Sequence, residues 1–180
     1  VGTLSYFGRN NLVNVAKFDA AHGFNLRGDV LFGGFYVLEL LSRLIAERQK
    51  EPEIFAGAVS ALTAMEAGHE LQAVLRCFEL DLLGQLGYEV VFDQDAEEGR
   101  AIAPDVYYRY QAQVGFTKVL QGREIESDPT VVQGRWLQCI WRRDFDQPEA
   151  RRAAKYITRQ ALQGLLGDKP LISRKMLGSR

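Results

Sequence analysis

A mainly α fold, a helical bundle with a small β-hairpin insertion and two short strands in front of it, is the class this sequence predicts. Three observations carry that prediction. Apolar residues recur at helical spacing from Tyr36 to Leu86 and again from Ala150 to Leu165, whereas strand-like runs are confined to the first 20 residues and to about 105–120. The chain has 180 residues, 47% of them apolar, which is enough to bury the core of one domain.

The elements follow in order. Leu4 to Phe7 and Leu12 to Phe18 read as strands around the turn-prone Gly8-Arg9-Asn10-Asn11. Two strands alone do not make a stable sheet. Either they pack on the helices as an appendage or they end a β domain whose other strands lie upstream, and the second is favoured. After Gly28, Tyr36, Leu40, Leu41, Leu44 and Ile45 mark a first helix. Pro52 then opens a second, with Phe55, Val59 and Leu62 on one side. A third carries Leu71, Val74, Leu75, Phe78, Leu82 and Leu86 and ends at Gly87, where a left-handed cap fits. The acidic stretch from Asp93 to Arg100 reads as an exposed loop. Val106 to Tyr110 and Phe116 to Leu120 read as a hairpin closed near Gly115. A segment punctuated by Gly and Pro, Gln121 to Gly134, leads to a short helix at Trp136, Leu137, Ile140 and Trp141. A last long helix runs from about 147 to 166. The domain organisation expected is therefore 1–20 as a β remnant and 21–180 as the helical domain.

Composition excludes several function classes. No apolar run approaches the roughly 18 to 20 residues of a membrane span, and no signal segment opens the chain, so a soluble intracellular protein is expected. Cys77 and Cys139 give no disulfide framework. His22 and His69 stand alone, and Ser42, Ser60 and Ser173 lack a nucleophile elbow. Gly33-Gly34 has neither the repeat nor the lysine of a nucleotide loop, so an enzyme is not expected.

The formal net charge of −1 hides an asymmetry. Acidic residues crowd Glu89 to Asp105. From Pro148 onward Arg151, Arg152, Lys155, Arg159, Lys169, Arg174, Lys175 and Arg180 are opposed only by Glu149 and Asp168. On the last long helix, Ala150, Ala153, Ala154, Ile157, Ala161 and Leu165 form an apolar stripe, and Arg151, Arg152, Lys155 and Arg159 gather opposite. A merely solvated face normally mixes signs to gain i, i+4 pairs. This one does not, so phosphate binding by these residues, extended by Lys169, Arg174 and Lys175, is the expectation. No base-reading module is present, which implies binding that is indifferent to sequence and weakened by salt. Tyr107-Tyr108-Arg109-Tyr110 and Phe116-Thr117-Lys118 have the composition of a base-stacking surface, but strand alternation sends half of those rings inward.

The third helix has apolar residues to spare. Leu75, Phe78, Leu82 and Leu86 make one face; Arg76, Leu80, Leu83 and Gly87 make another at the same spacing. One reading is a central helix buried on two sides, with Arg76 snorkelling or paired to Glu79. The other is a groove for a short peptide ending in an aromatic residue and a free carboxylate, lined by Leu80 and Leu83, with Arg76 at its rim.

Several ordered landmarks resemble the RecO family of bacterial DNA repair and recombination mediators. They are Leu38-Glu39-Leu40-Leu41-Ser42-Arg43, Arg76-Cys77-Phe78-Glu79-Leu80 through Leu86-Gly87-Tyr88, Tyr108-Arg109-Tyr110 with Gly115-Phe116, and Ala153-Ala154-Lys155 through Lys169-Pro170-Leu171-Ile172-Ser173-Arg174. The resemblance implies an OB-fold followed by a helical domain, with residues 1–20 matching the last OB-fold strands. It implies a cytoplasmic, nucleoid-associated protein that is not an enzyme, binds single- and double-stranded DNA, and anneals strands. With RecR, such a protein helps load RecA onto strands coated by single-strand-binding protein, SSB. It also implies recruitment by the SSB C-terminal tail, which favours the groove around Arg76. Many family members carry a four-cysteine zinc site after the Leu-Gly-Tyr motif, whereas Glu89 to Asp105 here contains neither cysteine nor histidine. No zinc and no other cofactor is expected. The competing function class is a helical adaptor that binds only proteins.

Overall fold

Two prolines and a glutamate fix where three of the helices begin. In the computed structural model, which describes residues 1–7, 14–47, 49–119, 128 and 130–177, Pro52 opens α2 (Pro52–Glu66) and Pro148 opens α5 (Pro148–Leu166). Each proline lacks only an N–H that a first turn leaves unused. Glu70 caps α3 (Leu71–Gln85), its carboxylate accepting the N–H groups of Gln72 at 3.0 Å and Ala73 at 2.6 Å. That helix stops at Gly87, whose φ of 81° is the left-handed cap expected there; the Tyr88 N–H reaches back to the Leu83 carbonyl at 2.8 Å.

α1 (Asp29–Leu44), α2 and α3 pack together, and α5 lies across α3. α4 (Gly134–Trp141) supports α5, and a short C-terminal helix, α6 (Ile172–Leu177), docks on α1. α1 buries Tyr36, Val37 and Leu40. α2 buries Ile54, Ala58, Ala61, Leu62 and Met65, so its inward face is rotated from the expected one: Phe55 is 57% exposed. Ala58 and Ala61 are the small residues of the buried face, and Phe55 stays outside it.

Between α3 and α4 the chain forms a three-stranded antiparallel sheet of β3 (Tyr107–Gln111), β4 (Gly115–Lys118) and β5 (Val131–Gln133), in the order β4-β3-β5. β3 pairs antiparallel with β4 in register Tyr108↔Lys118 and with β5 in register Tyr108↔Val132. Tyr108, Tyr110 and Phe116 point to the core, and the Tyr108 hydroxyl accepts the Ala103 N–H at 3.0 Å. These rings are packing residues and offer no stacking surface. Gly134 closes the join to α4, since a Cβ there would sit 2.0 Å from the Ala103 carbonyl oxygen. The acidic stretch is tied down more than a free loop would be. Asp95 is buried and accepts the N–H groups of Glu97 at 3.2 Å and Glu98 at 2.7 Å.

β1 (Gly2–Phe7) and β2 (Asn14–Ala20) pair antiparallel, and every residue of both strands is exposed, including Leu4, Tyr6, Val15 and Phe18. The expected Gly8–Asn11 turn and most of the Gln121–Gly134 segment lie outside the described residues. Among the described residues no helix is long and apolar enough to cross a membrane.

Candidate nucleic-acid interface

A buried carboxylate organises the junction of α1, α3 and α5. Glu79 has no exposure and sits in the middle of α3, three residues beyond Arg76. Its Oε1 accepts the Tyr36 hydroxyl of α1 at 2.5 Å. Its Oε2 accepts the Thr158 hydroxyl of α5 and an Arg76 Nη1–H at 2.7 Å, and the same Nη1 donates to Thr158 Oγ1 at 3.1 Å. Three helices are thereby joined through one side chain. Burial, then the neighbouring Glu79 charge, pushes the Tyr36 hydroxyl far above its ordinary range, so Tyr36 is a fixed donor.

The network sets the positions of the cations around it. Thr158 faces α3, and Lys155 and Arg159, one turn earlier and one residue later on α5, flank the same junction. Arg174 arrives from α6, its Nη2 donating to the Tyr36 hydroxyl at 3.3 Å and its guanidinium carbon 5.7 Å from the ring centroid. Arg76, Lys155, Arg159 and Arg174 line one cavity of about 30 Å³. Desolvation, followed by the charges of Arg159 and Arg76, lowers the Lys155 pKa; desolvation, followed by Arg174 and Arg76, lowers that of Arg159. The cluster is electrostatically crowded.

Arg174 reaches this place because α6 is latched to α1. Glu39 accepts the N–H groups of Ile172 and Ser173, both at 2.8 Å, and the Ser173 hydroxyl. Arg43 donates to the Leu166 carbonyl at 2.8 Å and the Pro170 carbonyl at 3.3 Å, closing the C-terminus of α5. The run Leu38 to Arg43 therefore serves as the dock for the tail.

Of the cations expected to bind phosphate, Lys155, Arg159 and Arg174 converge, and Arg152 is exposed on the outer side of the same helix. Lys169 is exposed in the α5–α6 connection and Lys175 is exposed on α6. Arg151 does not join them. It turns to the α4–α5 loop, where its Nη1 donates to the carbonyls of Phe145 and of Asp146, the latter at 3.1 Å.

The residues expected to line a peptide groove need a correction. Leu80 is 5% exposed, Leu83 is fully buried and Arg76 is 4% exposed, so they belong to the interior of a helix packed on both sides. The surplus leucines belong to the hydrophobic core. An open cleft of about 820 Å³ lies on the opposite side of α3, against α2, with Ala61, Ala64, Ala73, Val74 and Phe78 on its walls. Arg143, 2.7 Å from Asp81, and Arg151 line it together with Glu70, Asp81 and Asp146. Sequence reasoning missed this cleft; the alanines that open it were its only signal.

Comparison with known proteins places the chain. The family model described as Recombination protein O C terminal matches residues 27–175. The DNA repair protein RecO of Pseudomonas aeruginosa (strain LESB58) is 38% identical over 174 residues, 96% of this chain and 72% of its own length. Its counterpart in Pseudomonas putida (strain W619) is 38% identical, covering 96% and 74% respectively. That of Actinobacillus succinogenes is 37% identical, covering 96% and 71%. With the match extending through α1, the Glu79 network, α5 and α6, this chain belongs to the RecO family of DNA repair proteins.

Proposed function

We propose that this chain is a non-enzymatic mediator of DNA repair and recombination that holds single- and double-stranded DNA by its backbone on the α5–α6 face. The observation that carries the reading is the convergence of Lys155, Arg159 and Arg174, with Arg152 beside them, around a single carboxylate already committed to Arg76, Thr158 and Tyr36. Backbone phosphates complement such a face and phosphate contacts carry no sequence information, so the binding expected is independent of sequence. Family membership supports the wider role: annealing complementary strands and, with RecR, helping to load RecA onto SSB-coated strands. It also supports residues 1–20 as OB-fold strands, whose exposed apolar residues Leu4, Tyr6, Val15 and Phe18 suit a larger sheet.

Salt dependence tests the DNA contact. Each phosphate neutralised contributes about −0.9 to the slope of log K against log salt on duplex DNA, so Arg152, Lys155, Arg159, Lys169, Arg174 and Lys175 together set a limit of about −5.4. Reversing Arg152, Lys155 and Arg159 to glutamate is expected to weaken binding and flatten the slope by about 2.7. An unchanged slope rejects the face.

For the SSB tail the α2–α3 cleft is the favoured seat, because Leu80 and Leu83 are buried and the cleft offers apolar walls, with Arg143 and Arg151 among its lining residues. Filling it with Ala73→Trp is expected to abolish binding of a labelled SSB-tail peptide. Retained affinity would return the tail to another surface and leave the DNA contact untouched.

A further inference from the structure

The small cavity beneath the basic face is built differently from a solvated patch of lysines and arginines. Four cations, Arg76, Lys155, Arg159 and Arg174, share its walls with Tyr36 and Gln72. Glu79 is the one carboxylate placed against them among the described residues, and both its oxygens are occupied. Arg76 is 4% exposed, yet its Nε–H has no acceptor among the described residues. A buried, unpaired guanidinium donor is costly unless something accepts from it. The depressed pKa values of Lys155 and Arg159 arise from desolvation and from their cationic neighbours, so an anion placed among them relieves both.

Size and charge narrow the occupant. A cavity of about 30 Å³ takes a compact group and has no room for a chain passing through it. Four positive charges against one negative leave an excess of three. An internal phosphodiester brings one charge, two free oxygens and a strand on each side. A phosphomonoester brings about −1.5 to −2 charges at neutral pH and three free acceptor oxygens on one end. Resting on the DNA contact proposed above, we infer that this cavity is a seat for one terminal phosphate, so that the protein prefers a DNA strand ending in a phosphomonoester over one ending in a hydroxyl. The Arg76 Nε–H, Lys155, Arg159 and Arg174 supply the donors, while Glu79 holds Arg76 in place.

The test uses one labelled single strand in three forms, with a 5′-phosphate, a 3′-phosphate or two hydroxyl ends, at fixed ionic strength. Charge-assisted hydrogen bonds to the end predict about tenfold tighter binding of a phosphorylated form. Millimolar inorganic phosphate is expected to remove that preference while leaving hydroxyl-ended binding in place, and Lys155→Gln and Arg174→Gln are expected to lose it as well. Equal affinity for all three forms overturns the seat and leaves general DNA binding standing. If no form binds, the DNA contact itself fails, and thermal stabilisation by inorganic phosphate decides the seat alone: no shift overturns it. Displacement of phosphate by a carboxylate-terminated peptide at lower concentration than inorganic phosphate also overturns the assignment, in favour of a peptide end.

Discussion

Removing the buried carboxylate is the sharpest test of the packing argument. In Glu79→Ala the Arg76 guanidinium, 4% exposed, loses the partner 2.7 Å away, and the hydroxyls of Tyr36 and Thr158 lose their acceptor. Breaking one side of a buried ion pair costs about 3–5 kcal/mol. The two hydroxyls share that same carboxylate with Arg76, so their lost bonds do not simply add to this figure. A total of about 3–5 kcal/mol is a large part of the roughly 5–15 kcal/mol that holds a domain folded. For a chain of this size it corresponds to a fall in Tm of about 6–20 °C. Urea unfolding followed by far-UV circular dichroism measures it. The paired variant Arg76→Met with Glu79→Leu removes both charges and keeps the volume, so it is expected to recover the ion-pair part of the loss and to fall short of the parent only by the Tyr36 and Thr158 hydroxyls left without Glu79. A loss below about 1 kcal/mol for Glu79→Ala, or a paired variant as unstable as the single one, refutes the reasoning.

Gly134→Ala is expected to cost about 1–3 kcal/mol, since the new methyl meets the Ala103 carbonyl oxygen at 2.0 Å, and the same unfolding curves report it. Arg151→Gln is expected to lower stability by about 0.5–1.5 kcal/mol through the lost hydrogen bonds to the carbonyls of Phe145 and Asp146, with DNA affinity nearly unchanged. A large loss of affinity instead would return Arg151 to the basic face. The α6 latch is expected to depend on pH. Desolvation raises the Glu39 pKa, but the Ser173 hydroxyl and the amides of Ser173 and Ile172 outweigh it and bring the carboxyl below its ordinary 4.5. A lowered pKa in the folded state means that the latch contributes fully above 4.5 and is lost as pH falls through the lower folded value. Protection factors at residues 171–177, corrected for the intrinsic exchange rate at each pH, should fall over that interval, and Glu39→Gln should already show lower protection at neutral pH.

Helix positions were legible because periodicity and punctuation agree: Pro52, Pro148 and Gly87 each stand where a helix begins or ends. The inward face of α2 was not, because two alanines lie on it while the larger Phe55 stays outside, and hydrophobicity alone ranks them the other way. β5 is only three residues long, and no alternation can announce so short a strand. α6 escaped notice because what holds it is remote in sequence: Glu39 lies 133 residues before the Ile172 amide it accepts from. For the site, the charge on α5 could be read from spacing, yet spacing could not separate Arg151, which caps a loop, from Lys155 and Arg159, which share a cavity.

Arg76 shows why the two competing readings of α3 were hard to separate. Both required a basic residue beside surplus leucines, and they differed only in whether α5 covers that face. Thr158 decides it: a small side chain that is itself a donor lets α5 come down onto Glu79, where a longer residue would hold it away. Once α5 is seated, Leu80 and Leu83 are inside, and Lys155 and Arg159 are brought to the mouth of the space that Arg76 lines. The buried ion pair and the crowded cations are thus one structural event. It follows that a substitution at Thr158 which lifts α5 should disperse the basic cluster, although no cation has been changed.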